Sequence, residues 1–379
     1  MEAARVIRST VARIDLDALT HNFRVIRAFL ARETTPSRPP GIIGVVKANA
    51  YGHGAAAVAL ALERAGAEMV ACADIEEAIG LREAGLACRV LVFGALSLSA
   101  LDGIFDHDLT PTLSSPMAAR AVQDAARRRG VRVACHLKID TGMNRLGFRH
   151  DNLDRTMPSI ASAANLDIEA VYTHFATADT PGDPWCARQQ ARFEAARVRL
   201  AAHQIRPRLV HAANSAATLS SPATWFDLVR PGLLMYGVAP EGMAHDLLLR
   251  PVMSLESRVV AVKGVRPGEI AGYGGRFTAD RPTTIAIIPA GYADGLDTRL
   301  AGRGHVLIRG RRSPIVGSVC MDMILADVTG TVVEPGDAVT IIGQQGELSI
   351  GVADMARAIG TIPYELLCRV GTRIERIYI

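Results

Sequence analysis

The sequence predicts an α/β chain, an N-terminal (β/α)8 TIM-like barrel followed by a mainly β C-terminal domain. From about residue 42 to 230, short apolar runs alternate with longer amphipathic stretches, switching between strand and helix periods. That span holds eight such units. A closed parallel barrel needs eight, whereas an open doubly wound sheet more often stops at about five to seven. Past Pro240 the helical period gives way to short Val-, Ile- and Thr-rich segments divided by Gly and Pro turns.

In chain order, residues 11–15 read as a strand that either domain could take, and 17–30 as a helix. Barrel strands are expected at 42–47, 68–73, 89–93, 109–113, 131–139, 167–174, 208–212 and 227–230. Helical patterns lie between them, at 55–65, 75–84, 116–129 and 187–202. The second domain offers strands at 254–265, 282–289, 305–308, 314–319, 324–328 and 337–342, with turns such as Arg266-Pro-Gly and Glu334-Pro-Gly and a single late helix at 351–359. The expected domains are thus 1–240 and 241–379, with 11–15 free to join the second.

Composition narrows the function. With 49% apolar and 21% charged residues over 379 positions, the chain is neither a disordered tail nor a small disulfide scaffold. A net charge of +4, spread without a run of five like charges, gives no footprint for nucleic acid or an anionic membrane, so neither partner is expected. The six cysteines lie far apart, with no C-x-x-C pair and no metal-ligand spacing, and read as reduced thiols, mostly core filler. The opening stretch carries Arg5, Arg8 and Arg13 but no apolar export segment, and 18 apolar residues never run together, which points to the cytoplasm.

Lysine usage is more specific. Of 42 basic residues only Lys47, Lys138 and Lys263 are lysine. A chain that otherwise relies on arginine has reason to keep lysine where an amine must lose its proton, which a guanidinium does not do. Lys47 closes the first barrel strand, on the face where a barrel places its chemistry. An amine there can hold pyridoxal 5'-phosphate (PLP), whose ring makes a substrate Cα proton acidic. Lys263 lies in the β domain and reads as solvated.

The stretch Val46-Lys-Ala-Asn-Ala-Tyr-Gly-His-Gly54 resembles the PLP-lysine motif of alanine racemases. Seven further stretches resemble that family in order: Leu137-Lys-Ile-Asp-Thr-Gly-Met-Asn-Arg-Leu-Gly147, Tyr172-Thr-His-Phe-Ala-Thr-Ala-Asp179, His211-Ala-Ala-Asn-Ser215, Val229-Arg-Pro-Gly232, Gly272-Tyr-Gly-Gly275, Gly291-Tyr-Ala-Asp-Gly295 and Val319-Cys-Met-Asp322. The resemblance implies the barrel-plus-β fold, PLP as cofactor, and interconversion of L- and D-alanine for peptidoglycan. It makes Lys47 the PLP lysine and one base, and Tyr273 the base on the opposite face. An ordinary tyrosine, with a pKa of about 10, needs nearby positive charge to serve as one.

By the same resemblance Arg230 hydrogen-bonds the pyridine nitrogen and keeps it unprotonated, which discourages side reactions such as transamination. Tyr51, Ser215 and the backbone N–H groups of Gly232 and Leu233 hold the phosphate, with Tyr364 also at the cofactor, and His174 packs on the ring. Arg145 addresses the substrate carboxylate or the phenolic oxygen. Lys138 matches a position that can be carbamylated and paired with that arginine, a salt bridge being the alternative.

Tyr292, Tyr364, Met321 and Asp322 resemble residues of the entrance and the small side-chain pocket. In the resemblance these and Tyr273 come from a partner subunit, which implies a homodimer with shared sites. Ser318 in place of the commoner Arg, Met323 after the Val-Cys-Met-Asp motif, and Leu296-Asp-Thr-Arg299 in place of Tyr-Pro-Arg depart from the pattern and bear on access and substrate breadth. A PLP decarboxylase on the same barrel would need an acidic residue where Arg230 stands. A PLP carrier would not need the domain bearing Tyr273. A racemase of wider scope is the nearest alternative, and Tyr364 favours a small side chain.

Overall fold

A computed structural model describes residues 8–34, 39–243 and 245–379. The N-terminal residues 1–7, which include Arg5 and part of the segment read for export, lie outside the described residues. The chain divides into two compact units: a barrel unit of Leu19–Ala50 and Ala55–Leu249, and a β unit of Arg250–Ile379 joined by Tyr51–Gly54 and the described residues up to Ala18.

The strands in chain order are β1 (Val11–Ile14), β2 (Gly41–Val45), β3 (Met69–Cys72), β4 (Arg89–Val92), β5 (Thr110–Leu113), β6 (Val133–Asp140), β7 (Phe148–Arg149), β8 (Leu166–Tyr172), β9 (Leu209–His211), β10 (Leu228–Val229), β11 (Met253–Arg258), β12 (Ala261–Val265), β13 (Thr283–Ile288), β14 (His305–Ile308), β15 (Arg311–Val316), β16 (Ile324–Asp327), β17 (Ala338–Gln345), β18 (Leu348–Ile350) and β19 (Glu375–Tyr378). In the barrel unit the parallel order β5-β4-β3-β2-β10-β9-β8-β6 closes where β5 pairs with β6, and the two-residue β7 lies beside β6. Strands covered on both faces read as unbroken buried runs, as Met69–Cys72 does. Ile43, Met69, Ala71, Leu91 and Leu228 form one buried cluster in it.

The β unit is one sheet in the order β12-β13-β16-β15-β14-β17-β11-β1-β19, with β18 on β17. β1 pairs antiparallel with β11 and parallel with β19. Val265, Ala271, Ala279, Ile285 and Val316 pack as its core.

Several elements differ from the sequence reading. The single strand expected at 254–265 is two, because the chain changes partner: Val259 N–H still donates to Asp337 beside β17, while Val260 N–H already donates to Ile287 of β13. The single late helix is followed by a second, Pro363–Cys368, and the barrel gains an unforeseen helix, Leu153–Ala161, whose internal Pro158 masks its periodicity. Only Cys72 and Cys135 are buried, so most of the cysteines are not core filler. Among the described residues no helix is long and apolar enough to cross a membrane.

Candidate active site

Lys47 stands two residues beyond β2, at the head of a turn of reversed handedness. Ala48, Asn49 and Ala50 have φ of 52°, 52° and 54° with ψ of 53°, 45° and 51°, and Tyr51 continues with φ 52°. The expected strand 42–47 stops at Val45 because the chain leaves the sheet to make this turn. Left-handed backbone costs a non-glycine residue roughly 1–2 kcal/mol, so neighbouring groups must hold it. Glu77 accepts from Ala48 N–H (2.7 Å) with one oxygen and from Ala73 N–H, just past β3, with the other (2.8 Å). Asn49 Oδ1 accepts from Ala55 N–H (2.8 Å) and ties the turn to the next helix.

The ends of the other barrel strands bring a basic cluster to the same rim. Arg230, directly after β10, is buried; its Nη2 donates to the carbonyls of Thr173 (2.7 Å) and Ala212 (2.9 Å) and lies 3.4 Å from His174 Nδ1, while Nη1 donates to His211 Nδ1 (2.5 Å). Its Nε–H and one Nη1–H have no partner among the described residues. Burial draws this guanidinium down to about 10, still charged at neutral pH. Lys138, buried on β6 with its amine 5.5 Å from the Tyr172 ring centre, is drawn down to about 8, first by burial and then by Arg145 and Arg230. Arg145 lies exposed in the following loop. Burial, then the charges of Arg230, Lys138, Arg145 and Lys47, hold His174 well below the usual imidazole range, so its ring is neutral. Cations surrounding a neutral ring suit an anionic, aromatic ligand.

Ser215 opens the short helix Ser215–Ser220, and its Oγ accepts from Gly232 N–H (2.9 Å) and Leu234 N–H (3.4 Å). Gly232 N–H, expected at the phosphate, donates here to Ser215 Oγ. Ser215's own O–H and the N–H of Leu233 are the donors left on this rim, the latter without a partner among the described residues.

Tyr51 and Tyr364 lie together in the β unit, ring centres 5.7 Å apart at 48°. Burial, then Tyr364 and Cys368, push the Tyr51 phenol well above the usual tyrosine range. Tyr364, which the resemblance gave to a partner subunit, stands beside Tyr51 of its own chain.

The remaining expected residues gather in the β unit. Tyr273, Tyr292, Met321 and Asp322 line one cleft of about 1290 Å³, with Lys263 at its margin. Tyr273 is 78% exposed, and Arg373 donates to Asp322 Oδ1 (2.7 Å). Sequence reasoning missed Glu77, Thr173, His136, His211 and Glu169. For His136 a signal existed: it stands two residues before Lys138, on the same face of a strand whose other residues are mostly apolar.

The chain is similar to known proteins over nearly its whole length. The alanine racemase N-terminal domain matches residues 14–240 and the C-terminal domain residues 252–378. Alanine racemase 1 of Clostridium acetobutylicum is 37% identical over 379 residues, 99% of this chain and 96% of that protein. The alanine racemase of Carboxydothermus hydrogenoformans is 40% identical over 379 residues, 98% of this chain and all of that protein (100%). Among solved structures, the alanine racemase of D-cycloserine-producing Streptomyces lavendulae superposes with a TM-score of 0.93 at 34% identity, covering 99% of this chain and 98% of that one. The Bacillus anthracis alanine racemase with bound L-Ala-P gives 0.91 at 34% identity, covering 99% and 96%. The chain belongs to the alanine racemase family.

Proposed function

We propose that this chain interconverts L- and D-alanine with PLP, with Lys47 and Tyr273 as its two proton-transfer groups. One observation carries the reading: a buried guanidinium, Arg230, keeps donors uncommitted on the rim that bears Lys47. The residues fit PLP. Arg230 has donors for a ring nitrogen, Ser215 and Leu233 have donors for a phosphate, and His174 offers a neutral face, while Tyr51 and Tyr364 are read from the resemblance as further cofactor ligands.

When bound, PLP supplies the sink for the electron pair released as a substrate Cα–H bond breaks. Lys47 Nζ takes or returns the proton on one face and the Tyr273 phenol oxygen does so on the other, which is what inversion at Cα requires. Arg230 keeps its proton and so leaves the ring nitrogen unprotonated, restraining the sink. Arg145 addresses the substrate carboxylate with its planar fork. Lys138, drawn down to about 8, has the neutral amine fraction that carbamylation needs, and the resulting negative charge suits Arg145 and Arg230 beside it.

The active form is a homodimer in which the partner's β unit completes each site. Tyr273 and Met321 are 78% and 53% exposed, and with Ile270, Met323 and Tyr292 they form an apolar face around one cleft, of the kind a second copy covers. A cytoplasmic location and a role in peptidoglycan supply go with this reading.

The test is D-alanine formation from L-alanine by purified, PLP-loaded protein, with L-serine and L-lysine run beside it, and borohydride fixation of PLP followed by peptide mapping. Conversion of alanine with the label at Lys47 supports the reading. PLP binding without conversion of any of the three, or a label elsewhere, overturns it.

A further inference from the structure

Four ionisable side chains form a line through the barrel interior, and only the first belongs to the chemistry above. Arg230 Nη1 donates to His211 Nδ1 (2.5 Å), His211 Nε2 meets His136 Nδ1 (3.0 Å), and His136 Nε2 meets Glu169 Oε1 (3.2 Å). Both histidines are completely buried and Glu169 nearly so. Arg89 and Arg208, more exposed, also hold the Glu169 carboxylate, the latter at 3.2 Å.

Only one arrangement of protons satisfies every link. A guanidinium has no acceptor, so His211 Nδ1 must be bare and its proton must sit on Nε2. That proton points at His136 Nδ1, which must also be bare, leaving the His136 proton on Nε2 to meet the carboxylate. The line is therefore directional, with Arg230 donating to His211, His211 to His136, and His136 to Glu169.

We propose that Glu169 is a positioning residue for Arg230: its carboxylate anchors the line from the far end, so that the tautomers of His136 and His211 do not rest on the guanidinium alone, and His211 Nδ1 is held as the acceptor for Nη1 of Arg230. This rests on the reading of Arg230 as the partner of the PLP ring nitrogen. Several facts support it. Burial keeps both histidines neutral, since it outweighs the pull of Glu169 on His136 and acts together with the charge of Arg230 on His211. Burial also pushes Glu169 up, but the hydrogen bonds from His136 and Arg89 bring it down to about 2, so the far end of the line is always an acceptor. The Tyr172 ring stacks on His211 (4.6 Å between centres, 11°), which holds the plane of that imidazole. Were Glu169 only an ion-pair partner for the two arginines, it would have no reason to receive His136.

The test is long-range proton–nitrogen NMR of the full chain with ¹⁵N-labelled histidine, with and without PLP, alongside the absorption spectrum of the bound cofactor. The expected wild-type result is a single Nε2–H tautomer for His211 and His136. Glu169→Ala is expected to give a tautomer mixture at His211, a shifted cofactor spectrum, and a kcat for alanine lowered about tenfold with KM within twofold. Glu169→Gln, whose amide oxygen still accepts from His136, is expected to restore all three. If Glu169→Ala does not fold, Glu169→Asp withdraws the carboxylate from His136 while keeping its charge beside the arginines, and is expected to give the same mixture. An unchanged His211 tautomer in a folded variant overturns the proposal, as does a tautomer change that leaves the cofactor spectrum untouched. Wild-type conversion of alanine, scored separately, reports on the function reading itself.

Discussion

The hydroxyl of Ser318 donates a 2.8 Å hydrogen bond to the main-chain carbonyl of Tyr273. Ser318 stands where the family pattern more commonly has an arginine, so the departure bears on the turn that carries the second proton-transfer group. Gly272, Gly274 and Gly275, with φ of 80°, 71° and 59°, make that turn pliable, and the Ser318 bond is one of its restraints. Such a bond is worth about 1 kcal/mol net. Ser318→Ala is therefore expected to lower kcat by roughly fivefold with PLP affinity unchanged, as steady-state rates and cofactor titration will report.

Lys47 and Tyr273 are assigned to opposite faces of the reacting carbon, so their loss has a handedness. Tyr273→Phe is expected to depress Cα hydrogen exchange with solvent deuterium about a hundredfold or more for one enantiomer of alanine and much less for the other. NMR of the recovered substrate measures this directly, and an equal, small loss for both enantiomers speaks against the two-base scheme.

Glu77 clamps the reversed turn after Lys47 through two main-chain N–H groups. Charge-assisted bonds of this kind contribute about 1.5–3 kcal/mol each, against a left-handed backbone cost of roughly 1–2 kcal/mol per residue over Ala48 to Tyr51. Glu77→Ala is expected to lower thermal stability measurably and weaken PLP retention. Ala48→Gly, which relieves the conformational cost, is expected to be neutral or to stabilise by up to about 1 kcal/mol. Calorimetry with and without PLP separates the two.

Lys138 has a pH signature. Its folded-state pKa, about 8, is below the ordinary 10.5, so between those values the unfolded chain binds the extra proton and stability rises with pH. Below about pH 8 the buried ammonium is a standing cost of up to about 3 kcal/mol. Lys138→Met is expected to be the more stable protein at pH 7 and to lose the rise between pH 8 and 10.5, which denaturation across that range will show. If the amine is carbamylated, CO2-depleted buffer should lower wild-type activity and bicarbonate restore it.

Much of the fold was legible because barrel strands and helices differ in period, and strand-end placement put Lys47, Arg230 and Ser215 near one rim without any knowledge of contacts. What the sequence concealed has physical causes. The left-handed turn is written in Ala-Asn-Ala-Tyr, which carries no glycine to announce it, and its stabiliser Glu77 lies 29 positions from Ala48. Periodicity could not reveal that Val259 and Val260 face different partner strands. The line from Arg230 to Glu169 joins a residue just past β10 to residues on β9, β6 and β8, and only closure of the barrel makes them neighbours. The placement of Tyr364 beside Tyr51 was likewise a tertiary fact, invisible to motif matching.

The position of β1 has a consequence for how the protein is made. It lies between β11 and β19, and Leu16 N–H and Ile379 N–H tie the two strands at 2.9 Å and 3.0 Å. During synthesis β1 must wait for β19, while the intervening barrel strands can already pair. Sheet completion thus follows synthesis of residues 375–378, and a chain stalled before residue 375 leaves β1 with an open edge where a chaperone, or another nascent chain, can bind.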